Sequence, residues 1–127
     1  MNTRVQSDLV SSLLRSRGFD VHAEVPLGPG LWKGIRADFV VNGIGGYPDG
    51  LAIECKWQSS SGSAAEKLAY LVLNIGRHYP VPCLILCSGS ELDAAKRWAA
   101  GEVDGERLVA VYDTDDFIEW VGRLKKA

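Results

Sequence analysis

An α/β fold, with a mixed central sheet flanked by helices on both faces, is predicted by three observations. The chain opens on a helical apolar stripe, runs through three successive period-two segments with no helix between them, and then alternates helices with short strands. The resulting element order is αβββαβαβα. At 127 residues, 46% hydrophobic and 24% charged, the chain has the size and composition of one packed domain over residues 1–127. That balance excludes a disordered or fibrous protein, and neither an internal repeat nor a low-complexity segment interrupts it.

Val5, Leu9, Val10, Leu13 and Leu14 share one helical stripe, closed by Arg15 and Arg17 in the last turn and by Gly18. Phe19, Val21, Ala23 and Val25 alternate with Asp20, His22 and Glu24, the period of a strand with one buried face, and Pro26 to Gly30 ends it. The second strand is expected at Gly34–Val41, with Ile35, Ala37, Phe39 and Val41 on one side and Arg36, Asp38 and Val40 on the other. Turn residues from Asn42-Gly43 to Asp49-Gly50 supply a hairpin-like connection. The third strand, Leu51–Gln58, places Leu51, Ile53, Cys55 and Trp57 on one face and Ala52, Glu54, Lys56 and Gln58 on the other.

Ser59–Ser63 reads as a loop, and Ser63 with Glu66 forms a capping box for a helix whose stripe is Ala64, Leu68, Leu71, Val72, Ile75 and Tyr79. Pro80 stops it. Leu84–Leu86 is a continuously apolar strand of the kind found inside a sheet. Ser90 caps a helix to about Ala100, Leu108–Tyr112 is the last strand, and Asp115–Lys125 the last helix, acidic in its first turn and basic in its last.

The net charge of −2 advertises no passive polyanion coat, but its distribution is uneven. Residues 1–36 carry +2, residues 37–90 carry −1 and residues 91–127 carry −3, so the amino-terminal third is the expected polyanion face. Three cysteines, Cys55, Cys83 and Cys87, form no paired framework and point to a reducing compartment. Met1 to Leu14 mixes Arg4, Gln6 and Asp8 into its apolar positions, unlike a secretory leader, and no apolar run approaches the ~20 residues of a membrane span. A cytoplasmic protein without membrane contact is expected. The Gly28-Pro29-Gly30 and Gly43–Gly46 stretches fit turns and lack the spacing of a nucleotide site, so no nucleotide cofactor is expected.

The chemistry resides in Asp38 and Glu54-Cys55-Lys56, a D-x15-E-x-K arrangement. Two positions apart on a strand, Glu54 and Lys56 project from one face, and a hairpin can set Asp38 beside Glu54. Adjacent carboxylates repel unless a cation lies between them; a hard divalent ion with oxygen ligands, Mg²⁺, is the natural candidate. The Lys56 ammonium can then serve a metal-activated water or neutralise a phosphate oxygen in hydrolysis of a phosphodiester. An E-x-K triplet alone is often a solvated strand face; the carboxylate on the preceding strand, the parity and the helix-first order raise it above that.

Asp38 within Ile35-Arg36-Ala37-Asp38-Phe39, and Glu54-Cys55-Lys56 within Leu51–Gln58, resemble the PD-(D/E)XK nuclease superfamily, with Glu54–Lys67 most like small phage and bacterial members. The resemblance spans about residues 3–88 and implies a restriction-endonuclease-like αβββαβ core. It further implies that Asp38, Glu54 and the Cys55 main-chain carbonyl hold Mg²⁺, with Mn²⁺ as a substitute, and that Lys56 serves the attacking water. Ala37 stands where the family motif has proline, a position without chemical duty. Many members of the superfamily place an acid on the first helix, where Asp8 or Gln6 would have to serve here, and Glu24 on the first strand is an alternative third carboxylate.

Gln58 continues the catalytic face and is a candidate to orient water or phosphate. Arg36, Ser61, Lys67, Asn74 and Arg77 are candidates for contact with the DNA backbone, with Tyr70 on the same helical stripe. Cys83, Cys87 and His78 lack the spacing of a zinc site, and Cys55 points to the apolar side, where a thiol is a poor nucleophile. The expected protein is a Mg²⁺-dependent DNA endonuclease, junction-resolving or restriction-like with low sequence specificity, from a bacterial cell or phage-infected host. One active site in so short a chain implies a homodimer for double-strand cutting. The rival is a non-catalytic DNA-binding or assembly subunit on the same fold.

Overall fold

The computed structural model describes residues 3–57, 64–89 and 93–127. Nine elements follow the expected order: α1 (Thr3–Ser16), β1 (Asp20–Pro29), β2 (Gly34–Asn42), β3 (Leu51–Trp57), α2 (Ala64–Arg77), β4 (Cys83–Ser88), α3 (Asp93–Gly101), β5 (Leu108–Tyr112) and α4 (Thr114–Arg123). The strands form one sheet in the order β1-β2-β3-β4-β5. β1 and β2, and β2 and β3, run antiparallel, whereas β3 and β4, and β4 and β5, run parallel. The helical crossovers α2 and α3 explain the parallel half, because a parallel neighbour needs a long connection that returns the chain to the same end of the sheet.

Strand alternation divides the core into two layers. Phe39, Ile53, Cys55, Leu84 and Leu86 pack with Val10 and Leu14 of α1 and with Phe117 and Val121 of α4. Ala52, Cys83, Ile85 and Cys87 pack with Leu68, Leu71 and Ile75 of α2 and Ala99 of α3. β4 is buried along five of its six residues, as its central parallel position requires. The helix caps Ser63 and Ser90 expected from sequence lie outside the described residues. No helix among the described residues is long and apolar enough to cross a membrane.

Four departures from the sequence expectation have local causes. In α1 the innermost line is Gln6, Val10 and Leu14, and Val5 is 49% exposed, so a polar residue occupies the helix face assigned to an apolar one. β1 continues through Pro26 to Pro29, which an edge strand tolerates because one of its sides needs no ladder donor. Its alternation fails at Ala23, which is exposed, beside Glu24, whose backbone has φ +54° and which the β1–β2 register skips. Ile35 and Ala37 pack with the α2 layer although Phe39 and Val41 pack with the α1 layer; the β2–β3 ladder ends at Phe39 and Ile53, and the β1–β2 hairpin extends beyond it.

The β2–β3 connection is not a simple turn. Ile44 is 1% exposed and pairs with Lys126, while the Gly45 N–H donates to the Lys125 carbonyl and the Ala127 N–H to the Gly43 carbonyl, both at 2.8 Å. α4 begins one residue earlier than expected and ends at Arg123, leaving Lys125 and Lys126 free for this pairing. Its N-cap is Asp113, whose Oδ1 accepts from the Asp116 N–H at 2.8 Å, a bond that holds the Asp113 carboxyl below its ordinary pKa. Asp113→Ala is expected to cost about 1 kcal/mol at neutral pH, read as a lowered urea midpoint at unchanged slope.

Candidate active site

Asp38 and Glu54 meet where the β2–β3 ladder stops. One step beyond the pair Phe39–Ile53 the register sets Asp38 opposite Glu54, and their carboxylates take the place of carbonyl acceptors. The Asp38 N–H donates to Glu54 Oε1 at 2.6 Å, and the Cys55 N–H donates to Asp38 Oδ2 at 2.8 Å. These crossed bonds fix both side chains on the strand framework itself and not on mobile loops.

Glu54 is only 4% exposed. Its pKa is raised to about 7, by burial first and by the Asp38 charge second, against the opposing pull of the Asp38 N–H, the Lys56 ammonium and a hydrogen bond from Tyr79. Tyr79 is buried at the end of the α2 segment; burial and then the Glu54 charge push its pKa well up, so the hydroxyl remains a donor to Glu54. In the sequence Tyr79 reads only as the end of an apolar helical stripe. The signal available was that a buried tyrosine hydroxyl needs a polar partner.

Lys56 is half-buried and opens into a cleft of about 520 Å³ together with Glu54. Lys33, Arg36 and Lys67 also line it, so four cations surround one carboxylate, with Tyr70, Asn74 and Tyr79 completing the wall. The structure thus brings Arg36 and Lys67 to the same cleft as the E-x-K segment. Asn74 is 5% exposed, and its Oδ1 accepts from the Leu31 N–H at 3.1 Å, which makes it a brace for the β1–β2 turn, not the exposed backbone contact expected of it. Arg77 faces away from this cleft, into a separate groove with Leu73 and Trp98. Gln58 and Ser61 lie outside the described residues.

Cys55 turns to the opposite side of the sheet, 3% exposed, where burial and then the Asp38 and Glu54 charges push its thiol up to about 12 and the Ser7 side chain bonds it. Glu24 is exposed, and Asp8 is exposed on α1. Gln6 is fully buried, with neither side-chain polar atom partnered in hydrogen bonding. Among the described residues no group of three His, Cys, Asp or Glu side chains forms, so neither Glu24 nor Asp8 joins Asp38 and Glu54.

The pair itself fits a hard divalent cation: two carboxylates in contact with the same short stretch of backbone, one of them raised to about 7 by burial and its neighbour's charge, gain from replacing a proton by a metal.

The fold is a mixed five-stranded sheet between two helical layers, with paired acids and a lysine where two of its strands part. The PD-(D/E)XK nuclease superfamily domain matches residues 2–125, and the chain belongs to that superfamily. No curated protein matches the chain. A crystal structure of a protein of unknown function, AF1548, is similar in fold, with a TM-score of 0.52 at 20% identity over 88% of this chain. The chain spans 57% of the length of that structure.

Proposed function

We propose that the protein is a divalent-metal-dependent DNA endonuclease in which Asp38, Glu54 and Lys56 are the catalytic residues. The observation that carries this reading is the crossed bonding of Asp38 and Glu54, with Glu54 lining a cleft that Lys33, Arg36, Lys56 and Lys67 share. Asp38 and Glu54, with the Cys55 carbonyl, are the residues to hold Mg²⁺ or Mn²⁺. Bound there, the ion supplies Lewis acidity toward a phosphoryl oxygen and lowers the pKa of water.

The remaining work falls to side chains. Lys56 stands two residues from Glu54 on the same face, where its ammonium can hold the attacking water or offset charge that develops on the phosphate. Tyr79 keeps Glu54 oriented, and Lys33, Arg36 and Lys67 seat the phosphate backbone without reading bases. Because these cations would contact phosphates and not base edges, the cutting we propose is structure-selective and of low sequence specificity, junction-resolving or restriction-like. A homodimer would supply the second active site for double-strand cleavage.

The test is conversion of supercoiled plasmid and of a four-way junction in Mg²⁺, in Mn²⁺ and in chelator. Cleavage confined to the metal-containing reactions, leaving 5′-phosphate ends, is expected. DNA bound but uncut under every condition would identify a non-catalytic subunit instead.

A further inference from the structure

Trp32 is 86% exposed, far more than any other large hydrophobic side chain among the described residues. It stands in the connection between β1 and β2, and that connection is braced. The Gly30 N–H donates to the Lys33 carbonyl at 2.9 Å, and the Leu31 N–H donates to Asn74 Oδ1 at 3.1 Å. Gly30 is packed so closely that a Cβ there would lie 2.8 Å from Ile35 Cγ1 and 2.9 Å from Asn74 Oδ1, so the turn accepts no larger residue without moving. The indole therefore stays in water on a braced turn, although a side chain of this size and apolarity favours burial.

The chain neighbour of Trp32 is Lys33, and Lys33, Arg36, Lys56 and Lys67 line the cleft that holds Glu54. Trp32 itself does not line the cleft, but an exposed aromatic side chain one residue along the chain from a row of cations is suited to unpaired nucleic acid: the cations follow the phosphates, and the ring stacks on a base. A base inside a continuous duplex is already stacked on both faces and offers none to Trp32. The cleft, at about 520 Å³, is on the scale of a small-molecule pocket and suits a strand segment better than a whole helix.

We propose that Trp32 is a stacking platform for an unpaired nucleobase next to the phosphodiester in the Glu54–Lys56 cleft, so that the substrate is DNA with unpaired bases beside the cut: a single strand, a flap or an opened junction. This rests on the nuclease reading above and narrows its substrate class.

The experiment measures affinity in chelator, where binding proceeds without cutting, for a labelled single strand, a fully paired duplex of the same sequence and that duplex with a single-stranded flap. Wild type, Trp32→Ala and Trp32→Phe are compared. Trp32→Ala is expected to weaken binding to the single strand and the flap about 5- to 100-fold, with duplex affinity unchanged and Trp32→Phe retaining most of the affinity. Equal affinity of Trp32→Ala and wild type for every DNA, or an equal loss on paired duplex, overturns the proposal while leaving the nuclease reading intact if wild type still cuts in Mg²⁺. Wild type that binds no DNA at all overturns both. A change in oligomeric state on Trp32→Ala by light scattering, with DNA affinities unchanged, would assign the indole to a contact between copies and likewise overturn the proposal.

Discussion

Glu54→Gln is expected to lower single-turnover cleavage by about 10²–10⁴-fold while DNA affinity stays close to that of wild type. The substitution is nearly isosteric. Its carbonyl oxygen can still accept the Asp38 N–H, which wild type donates to Glu54 Oε1 at 2.6 Å, so the strand junction stands. What disappears is the charge that makes Glu54, with Asp38, a donor pair for a divalent cation. The cleft cations proposed to seat the DNA backbone, Lys33, Arg36 and Lys67, are untouched. Filter binding beside single-turnover cleavage separates the two effects. A parallel loss of binding and cleavage would place Glu54 in DNA recognition rather than chemistry.

The metal-free protein is expected to lose stability as pH rises through about 7. Glu54 has an ordinary pKa of 4.5 and a folded value of about 7, so between these values the folded protein binds more protons than the unfolded chain. Its contribution to stability is therefore complete below about pH 4.5 and lost as pH climbs through the folded value. The full loss by pH 8 is on the order of 3 kcal/mol. Burial is the first cause and the Asp38 charge the second, so the effect belongs to the carboxylate pair and not to the surface. The Asp113 and Asp104 carboxyls, both held low by backbone N–H donors, titrate below this window, and the buried Cys55 thiol above it. Urea unfolding in chelator at pH 5.5 and pH 8 should show the fall in wild type and a flattened profile in Glu54→Gln. Added Mg²⁺ should restore stability at pH 8 by mass action, because only the folded chain holds both carboxylates together. Identical profiles in wild type and Glu54→Gln would contradict the assignment of the linkage to Glu54.

The sequence made Asp38, Glu54 and Lys56 legible because strand periodicity is strict: side chains two apart share a face, and a hairpin fixes which residues oppose each other. The same rule divided Leu51, Ile53 and Cys55 from Ala52 and Glu54, and the two core layers keep that division. Periodicity does not carry information across layers. Asn74 reads as a polar stripe residue, yet α2 packs it onto the Gly30–Leu31 turn. Tyr79 reads as the end of an apolar stripe, yet its hydroxyl reaches Glu54.

Nor does local pattern foresee long-range closure. Ile44 lies among glycines in a turn-rich stretch, and only the pairing with Lys126 at the carboxyl end explains its burial. Alternation fails at Ala23, beside the positive φ of Glu24 on an edge strand, although the register with β2 is unshifted there and slips only between Pro26 and Gly28. Gln6 took a helix position next to Val10 and Leu14 that hydrophobicity alone assigns to Val5, and nothing in the stripe distinguishes a polar side chain that will be enclosed.

The most direct test of the central claim is cleavage of a mixed panel (linear duplex, supercoiled plasmid, single strand, flap and four-way junction) by wild type and Lys56→Ala in Mg²⁺. Lys56 adjoins the carboxylate pair without serving as one of its acids, so its removal probes the proposed chemistry while leaving both carboxylates in place. Cutting of at least one substrate by wild type, reduced to near background by Lys56→Ala with the protein still folded and DNA still bound, is the predicted result. Wild type and Lys56→Ala cutting at the same rate, or neither cutting any member of the panel while both bind DNA, would contradict it.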